Sequence, residues 1–186
     1  MFFKLQEIFK NGYIPNRGDE SYRVTLPHRD PETFSILKTG DLCNCLGHAC
    51  FNLRNEHFEK YKINFQDCRF FQGFIRDKET RENDAMATKI LNRIKAVGLI
   101  VSPAQNTEIL KNNQWHIAMY FDRISFGTTN YLRDFHFMIE EKDKTWSGKD
   151  SWNLDVHKYD KLPEICDDYY KLYNVYTLTN PNAREK

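Results

Sequence analysis

Residues 115–121 read WHIAMYF and residues 134–139 read DFHFMI. Both are short runs of aromatic and β-favouring side chains, and they read as strands joined by a loop over 122–133. Residues 144–152 (KTWSGKDSW) are expected to pair back on the second strand through a turn at 141–144. Upstream the spacing is helical. From Asn83, the residues Met86, Ile90, Ile94 and Val97 form one apolar stripe, and Gly98 closes it. Helices first and an antiparallel meander afterwards define an α+β domain.

The remaining segments attach to this frame as one domain over 1–186. Residues 1–40 read as a helix followed by a loop-rich arm. The helix has Phe2, Phe3, Leu5, Ile8 and Phe9 on its apolar side and Gly12 at its end, and a short strand is expected at 22–26. Residues 41–61 read as a cysteine-bearing helix, with Leu46, Cys50, Leu53, His57 and Tyr61 on one face and Asp41 or Asn44 as its cap. The stretch 65–80 is aromatic and irregular. Residues 163–173 are expected to form a C-terminal helix, with Pro163 in its first turn and Ile165, Tyr169 and Leu172 on one side.

Composition narrows the function classes. The 27 Lys and Arg nearly cancel the 26 Asp and Glu, a formal charge of +1. A nucleic-acid partner is therefore not expected, because phosphate binding draws on a basic excess. No run approaches the roughly 18 apolar residues of a membrane span, so no membrane association is expected either. No secretory signal is read at the start, and the 5 cysteines are odd in number. Reduced thiols in a cytoplasmic setting are the expectation. No phosphate-cradling glycine loop, His-Glu-x-x-His helix or serine elbow occurs, and no cofactor is called for.

The chemistry concentrates in residues 42–53, LCNCLGHACFNL. Cys45 falls at the start of the expected helix, where free backbone N–H groups and the helix dipole would favour a thiolate. Cys43 is a spare, and Cys50 lies a turn further in and reads as core. A cysteine nucleophile needs a base and a group that orients the base. His116 shares a strand face with Ala118 and Tyr120, and His136 shares one with Asp134 and Met138. If the two strands are neighbours, both rings would point at the same helix end. The alternative reading of the cluster is a zinc site built from Cys43, Cys45, His48 and Cys50. Its spacing is unfavourable, since Cys43 and Cys45 would point about 200° apart on a helix, and no metal ligand is assigned.

The order of a helix-start cysteine, a strand opening His-Ile-Ala-x-Tyr and a later polar strand residue resembles papain-like cysteine peptidases and amidases of the NlpC cell-wall type. The resemblance implies a papain-like fold with helices packed on a small antiparallel sheet. It implies Cys45 as nucleophile, His116 as base and His136 as orienting group. Asn44-Cys45-Leu46, the run from Asp134 to Phe137, and Thr145-Trp146-Ser147 are also similar to a group of bacterial and phage-associated proteins. That likeness makes His136 the base, with Asp150 or Asn153 orienting it. Two departures matter. The Asp-Cys-Ser start of the cell-wall peptidases is here Asn-Cys-Leu, and the second group's histidine after Trp-Ser is here Gly148.

The leading expectation is a thiol hydrolase or acyl-transfer enzyme with Cys45, His136, His116 and Asp150 as site residues. Its substrate would be an amide bond of a peptide, protein or cell-wall fragment. The alternatives are a degenerate scaffold of phage or mobile-element origin that binds or inhibits a protein, and a zinc-supported structural domain.

Overall fold

The computed structural model describes residues 2–15, 17, 45–51, 60–62, 83–105, 109–122, 135–149 and 156–184. Three helices and seven strands lie within them: α1 (Phe2–Lys10), α2 (Cys45–Cys50), α3 (Asn83–Ala96), β1 (Ile100–Pro103), β2 (Gln114–Asp122), β3 (Phe135–Glu140), β4 (Trp146–Lys149), β5 (Val156–Tyr159), β6 (Ile165–Cys166) and β7 (Tyr170–Thr179). The strands form one sheet in the order β1-β7-β2-β3-β4-β5, with β6 also paired to β7. Every pairing is antiparallel. The α+β expectation therefore holds as helices on an open antiparallel sheet.

The helices cover one face of the sheet. Trp115, Ile117, Met119 and Phe121 of β2, with Phe135, Phe137 and Ile139 of β3, meet Leu5, Ile8 and Phe9 of α1, Leu46 and Cys50 of α2, and Met86, Ile90 and Ile94 of α3. The alternate residues Ala118, Tyr120 and Met138 point to the other face, against Trp146 and Cys166 and the partly buried Tyr159, Leu162 and Tyr170. Successive strand residues face opposite ways, so both faces of β2 and β3 are buried without breaking the alternation.

The helix from Asn83 is found where the stripe placed it, and Gly98 ends it with φ of 99°. That left-handed conformation is open to glycine at little cost. In α1, Leu5, Ile8 and Phe9 are buried as expected, but Phe3 is 83% exposed. The ring of Phe9 stacks on Trp115. Gln6 Nε2 donates to the carbonyl of Ala96, tying α1 to the end of α3. From the other end of the chain, the buried Asn180 donates from Nδ2 to the carbonyls of Phe9 (3.0 Å) and Tyr13 (2.7 Å), and its Oδ1 accepts from the Asn182 N–H. One side chain thus satisfies the free end of α1 and anchors β7's exit to it.

The expected helix over 163–173 is corrected: β6 and β7 occupy that segment as strands. Between β2 and β7 the register shifts, from Met119 opposite Asn174 to Tyr120 opposite Leu172, so Tyr173 is an extra residue in β7. This bulge puts Leu172 and Val175 on one face, and Tyr173 and Tyr176 on the other, at three-residue separations. The helical spacing of Ile165, Tyr169 and Leu172 spans the turn between β6 and β7, in a stretch whose Tyr, Val and Thr favour strand. Of the expected helix over 41–61, Cys45–Cys50 is helical, while 41–44 and 52–59 lie outside the described residues. So do the expected strand at 22–26 and the stretch 65–80. The strands expected at 115–121 and 134–139 appear as β2 and β3, and β4 pairs with β3 as anticipated. Among the described residues no helix is long and apolar enough to cross a membrane.

Candidate functional site

Cys45 opens α2 and is 2% exposed. Its thiol donates to the carbonyl of Phe135 at 3.9 Å, on the face of the sheet that carries the helices. His136 follows Phe135 and points to the opposite face. There its ring stacks on Tyr170 at 5.3 Å and meets the edge of Tyr120 at 6.3 Å. His116 lies on that opposite face too, where its Nδ1 donates to Glu140 Oε2 at 3.1 Å. The register sets Tyr120 opposite His136, which leaves the two rings four residues apart along the strands, about 13 Å. The register thus separates His116 from His136, and Cys45 packs on the helix-bearing face while both rings lie on the other. The alternation of side chains across β3 is the reason. Asp150, Asp134, Asn153 and Cys43 lie outside the described residues.

His116 instead pairs with Glu140 at the far end of β2. Burial pushes the Glu140 carboxyl up, but the hydrogen bond with His116 and the nearby charge of Lys144 outweigh it. The carboxyl is held below its ordinary value. Lys144 itself stands in the left-handed region at φ 68°, in the turn closed by the Lys144 N–H to the Glu141 carbonyl.

Two polar constellations do assemble, and the sequence had singled out neither. The first lies on the helix side. His48 Nε2 is 3.1 Å from Ser147 Oγ, and the Ser147 hydroxyl donates to Glu141 Oε1 at 2.5 Å. With the hydroxyl proton committed to the carboxylate, His48 Nε2 carries its own proton and donates, so the ring is the Nε2–H tautomer. All three residues are buried. Burial, then the charges of Lys149 and His136, pull the His48 pKa down to about 3, which keeps the ring neutral at pH 7. The serine stands in the middle of this relay and gives its proton to the acid, whereas a serine nucleophile gives its proton to the histidine. The relay pins α2 to β4.

The second constellation lies on the opposite face. A ring nitrogen of His136, the Cys166 sulfur and an Asp167 carboxylate oxygen all fall within 4.8 Å of one another. Cys166 ends β6, and Asp167 and Asp168 form a tight turn with φ of 52° and 55°. The turn is closed by the Tyr169 N–H to the Cys166 carbonyl at 3.1 Å. Paired left-handed residues mark a type I′ turn, and Asp tolerates that region. Tyr159 donates its hydroxyl to Asp167 Oδ1 at 3.1 Å and touches the Cys166 sulfur at 3.9 Å. Burial and then the neighbouring Asp167 push the Cys166 thiol up to about 12. A metal-free Cys166 is thus a protonated thiol, unsuited to attack.

The chain order hides both groupings. Cys166 stands alone among the cysteines, and β7 must return along β2 before it meets His136. The signal that was available is the Asp167-Asp168 pair between two β-favouring runs, a turn composition that would have opened the expected helix into a hairpin. No protein family, no curated protein and no solved structure matches this chain.

Proposed function

We propose that this chain is a binding domain for an extended peptide or protein segment, built on the scaffold described above. The observation that supports it is the placement of Cys45. Its sulfur is sealed from solvent against the Phe135 carbonyl, with both strand histidines on the other side of the sheet. A thiol hydrolase needs an accessible sulfur within about 2.6–3.2 Å of its base in the reacting complex. The partner class follows from the sheet and the charge. β1 ends the strand order, and among the described residues nothing pairs with its outer side. Ile100 lies 55% exposed on it. An extended segment would add there as a further strand, with main-chain hydrogen bonds giving affinity. A chain of formal charge +1 offers little to a polyanion.

The second reading is the papain-like thiol hydrolase. What favours it is the packing of α2, whose Cys45 and His48, three residues apart, both turn toward β3 and β4. Iodoacetamide labelling against pH separates the two, with Cys45→Ser identifying the labelled site. Cys45 is expected to react more slowly than a free thiol of pKa about 8.5. Faster labelling would establish the hydrolase reading instead. The binding surface has its own test. Extended peptides selected on the immobilised chain are expected to lose affinity for the Ile100→Asp variant, and unaltered binding would remove β1 as the docking edge.

A further inference from the structure

We propose that His136, Cys166 and Asp167 bind one divalent cation of the zinc class on the sheet face opposite the helices. The donor set is one imidazole, one thiolate and one carboxylate. That is borderline-soft chemistry, matched to zinc; magnesium and calcium take oxygen ligands alone. Ligands around tetrahedral zinc at 2.0–2.3 Å stand about 3.3–3.8 Å apart. The three donor atoms already lie within 4.8 Å of one another, so closure takes about 1 Å. Asp167 is exposed and can supply that movement, while His136 and Cys166 are buried and held.

The surroundings fix the donors as a metal site requires. The His136 ring is clamped between the Tyr170 ring and the backbone of Gly148. The Tyr159 hydroxyl orients Asp167 from outside, the role that hydrogen-bonding partners of metal ligands play elsewhere. Three protein ligands leave a fourth tetrahedral position, and the exposed side of Asp167 opens it to water. Proton balance is simple. Cys166 releases its thiol proton to solvent, His136 enters neutral, and Asp167 enters as the carboxylate. The site is distinct from the cysteine cluster of α2, which lies across the sheet.

The test is metal titration of the purified chain after chelator treatment, first with Co²⁺ alone and then with Zn²⁺ alone. One cobalt ion per chain is expected, with a sulfur-to-cobalt charge-transfer band that zinc displaces. Cys166→Ser should abolish the band, and His136→Asn and Asp167→Asn should each weaken binding at least tenfold. Cys45→Ser should leave the titration unchanged. No thiolate band, or a band that survives Cys166→Ser, overturns the site. Asp167 is on the surface, so Asp167→Asn reads out even if the Cys166 variant fails to fold. Unchanged affinity in Asp167→Asn also overturns the proposal.

Discussion

The His136 imidazole occupies the space that a side chain at position 148 would need: a Cβ on Gly148 would lie 2.7 Å from Nε2 and 3.1 Å from Met138 Cγ. Two effects compete when Gly148 becomes Ala. Loss of backbone freedom in the unfolded chain favours the alanine by about 0.4–1 kcal/mol. The overlap with a ring stacked on Tyr170 opposes it by about 1–3 kcal/mol. The clash should win. Gly148→Ala is expected to lower stability by roughly 1–2 kcal/mol in urea denaturation, and His136→Ala should restore most of the loss. A double-mutant cycle with no coupling would show that the ring does not lie over this glycine.

Asn180 makes a prediction about the other side of the sheet. Its amide group satisfies two carbonyls at the end of α1 and one N–H beyond β7, all from a fully buried position. Alanine removes the donor to the Tyr13 carbonyl and the acceptor of the Asn182 N–H, while the Phe9 carbonyl keeps its bond from the Gly12 N–H, at a cost of about 1–3 kcal/mol. Aspartate should be worse, because it offers a negative oxygen where the carbonyls need a donor. Thermal denaturation measures the loss. Hydrogen exchange at the Asn11 amide, bonded to the Glu7 carbonyl, should speed up in Asn180→Ala more than exchange in α3. Equal effects in both helices would deny the local clamp.

Tyr120 tests how the second face is closed. Its hydroxyl donates to the carbonyl of Pro163 at 2.9 Å, pinning the segment that leads into β6. Burial, then the nearby Cys166 and Tyr159, push that phenol well up, so it remains a donor at any pH at which the fold persists. Tyr120→Phe should cost about 1–2 kcal/mol. It should also raise the alkylation rate of Cys166 in the native state, since β6 loses its anchor. Lower stability with unchanged Cys166 protection would mean that the hydroxyl holds Pro163 without holding β6.

What could be read in the sequence follows from how far each signal reaches along the chain. The α3 stripe and Gly98 are local, and both stand. The strands around His116 and His136 declared themselves by composition and are present. Their facing was legible but not used: in β3, Phe135, Phe137 and Ile139 form an apolar set, while His136 and Glu140 make the alternate set polar with Met138 as its exception. Placing Cys45 beside His136 assumed one parity, and the fold took the other. β7 was hidden because Ile165, Tyr169 and Leu172 keep a helical spacing across the turn at Asp167 and Asp168. The cluster of His136, Cys166 and Asp167 depends on that strand, so it vanished with it. The relay of His48, Ser147 and Glu141 needs the pairing of β3 and β4 together with the docking of α2, a relation that no spacing within one segment encodes.

His48 carries the pH dependence. The ring is buried and neutral, with its pKa lowered from 6.5 to about 3. In the unfolded chain it titrates near 6.5, so below that value the unfolded state binds a proton that the folded state refuses. The unfolded state binds more protons throughout this window, so stability rises with pH between about 3 and 6.5 and falls as the solution is acidified. Each pH unit below 6.5 costs roughly 1.4 kcal/mol from this group, or roughly 2–3 kcal/mol at pH 4.5. His48→Gln keeps a donor for Ser147 and removes the titration. Urea midpoints measured at pH 7 and pH 4.5 should therefore converge in the variant relative to wild type. The Nε2–H tautomer adds a spectroscopic check, since the ¹⁵N shifts of His48 should show a protonated Nε2 and an unprotonated Nδ1 down to pH 5. An imidazolium signal at that pH would mean that the ring is not enclosed with Ser147 and Glu141, and the acid sensitivity would then belong to another group.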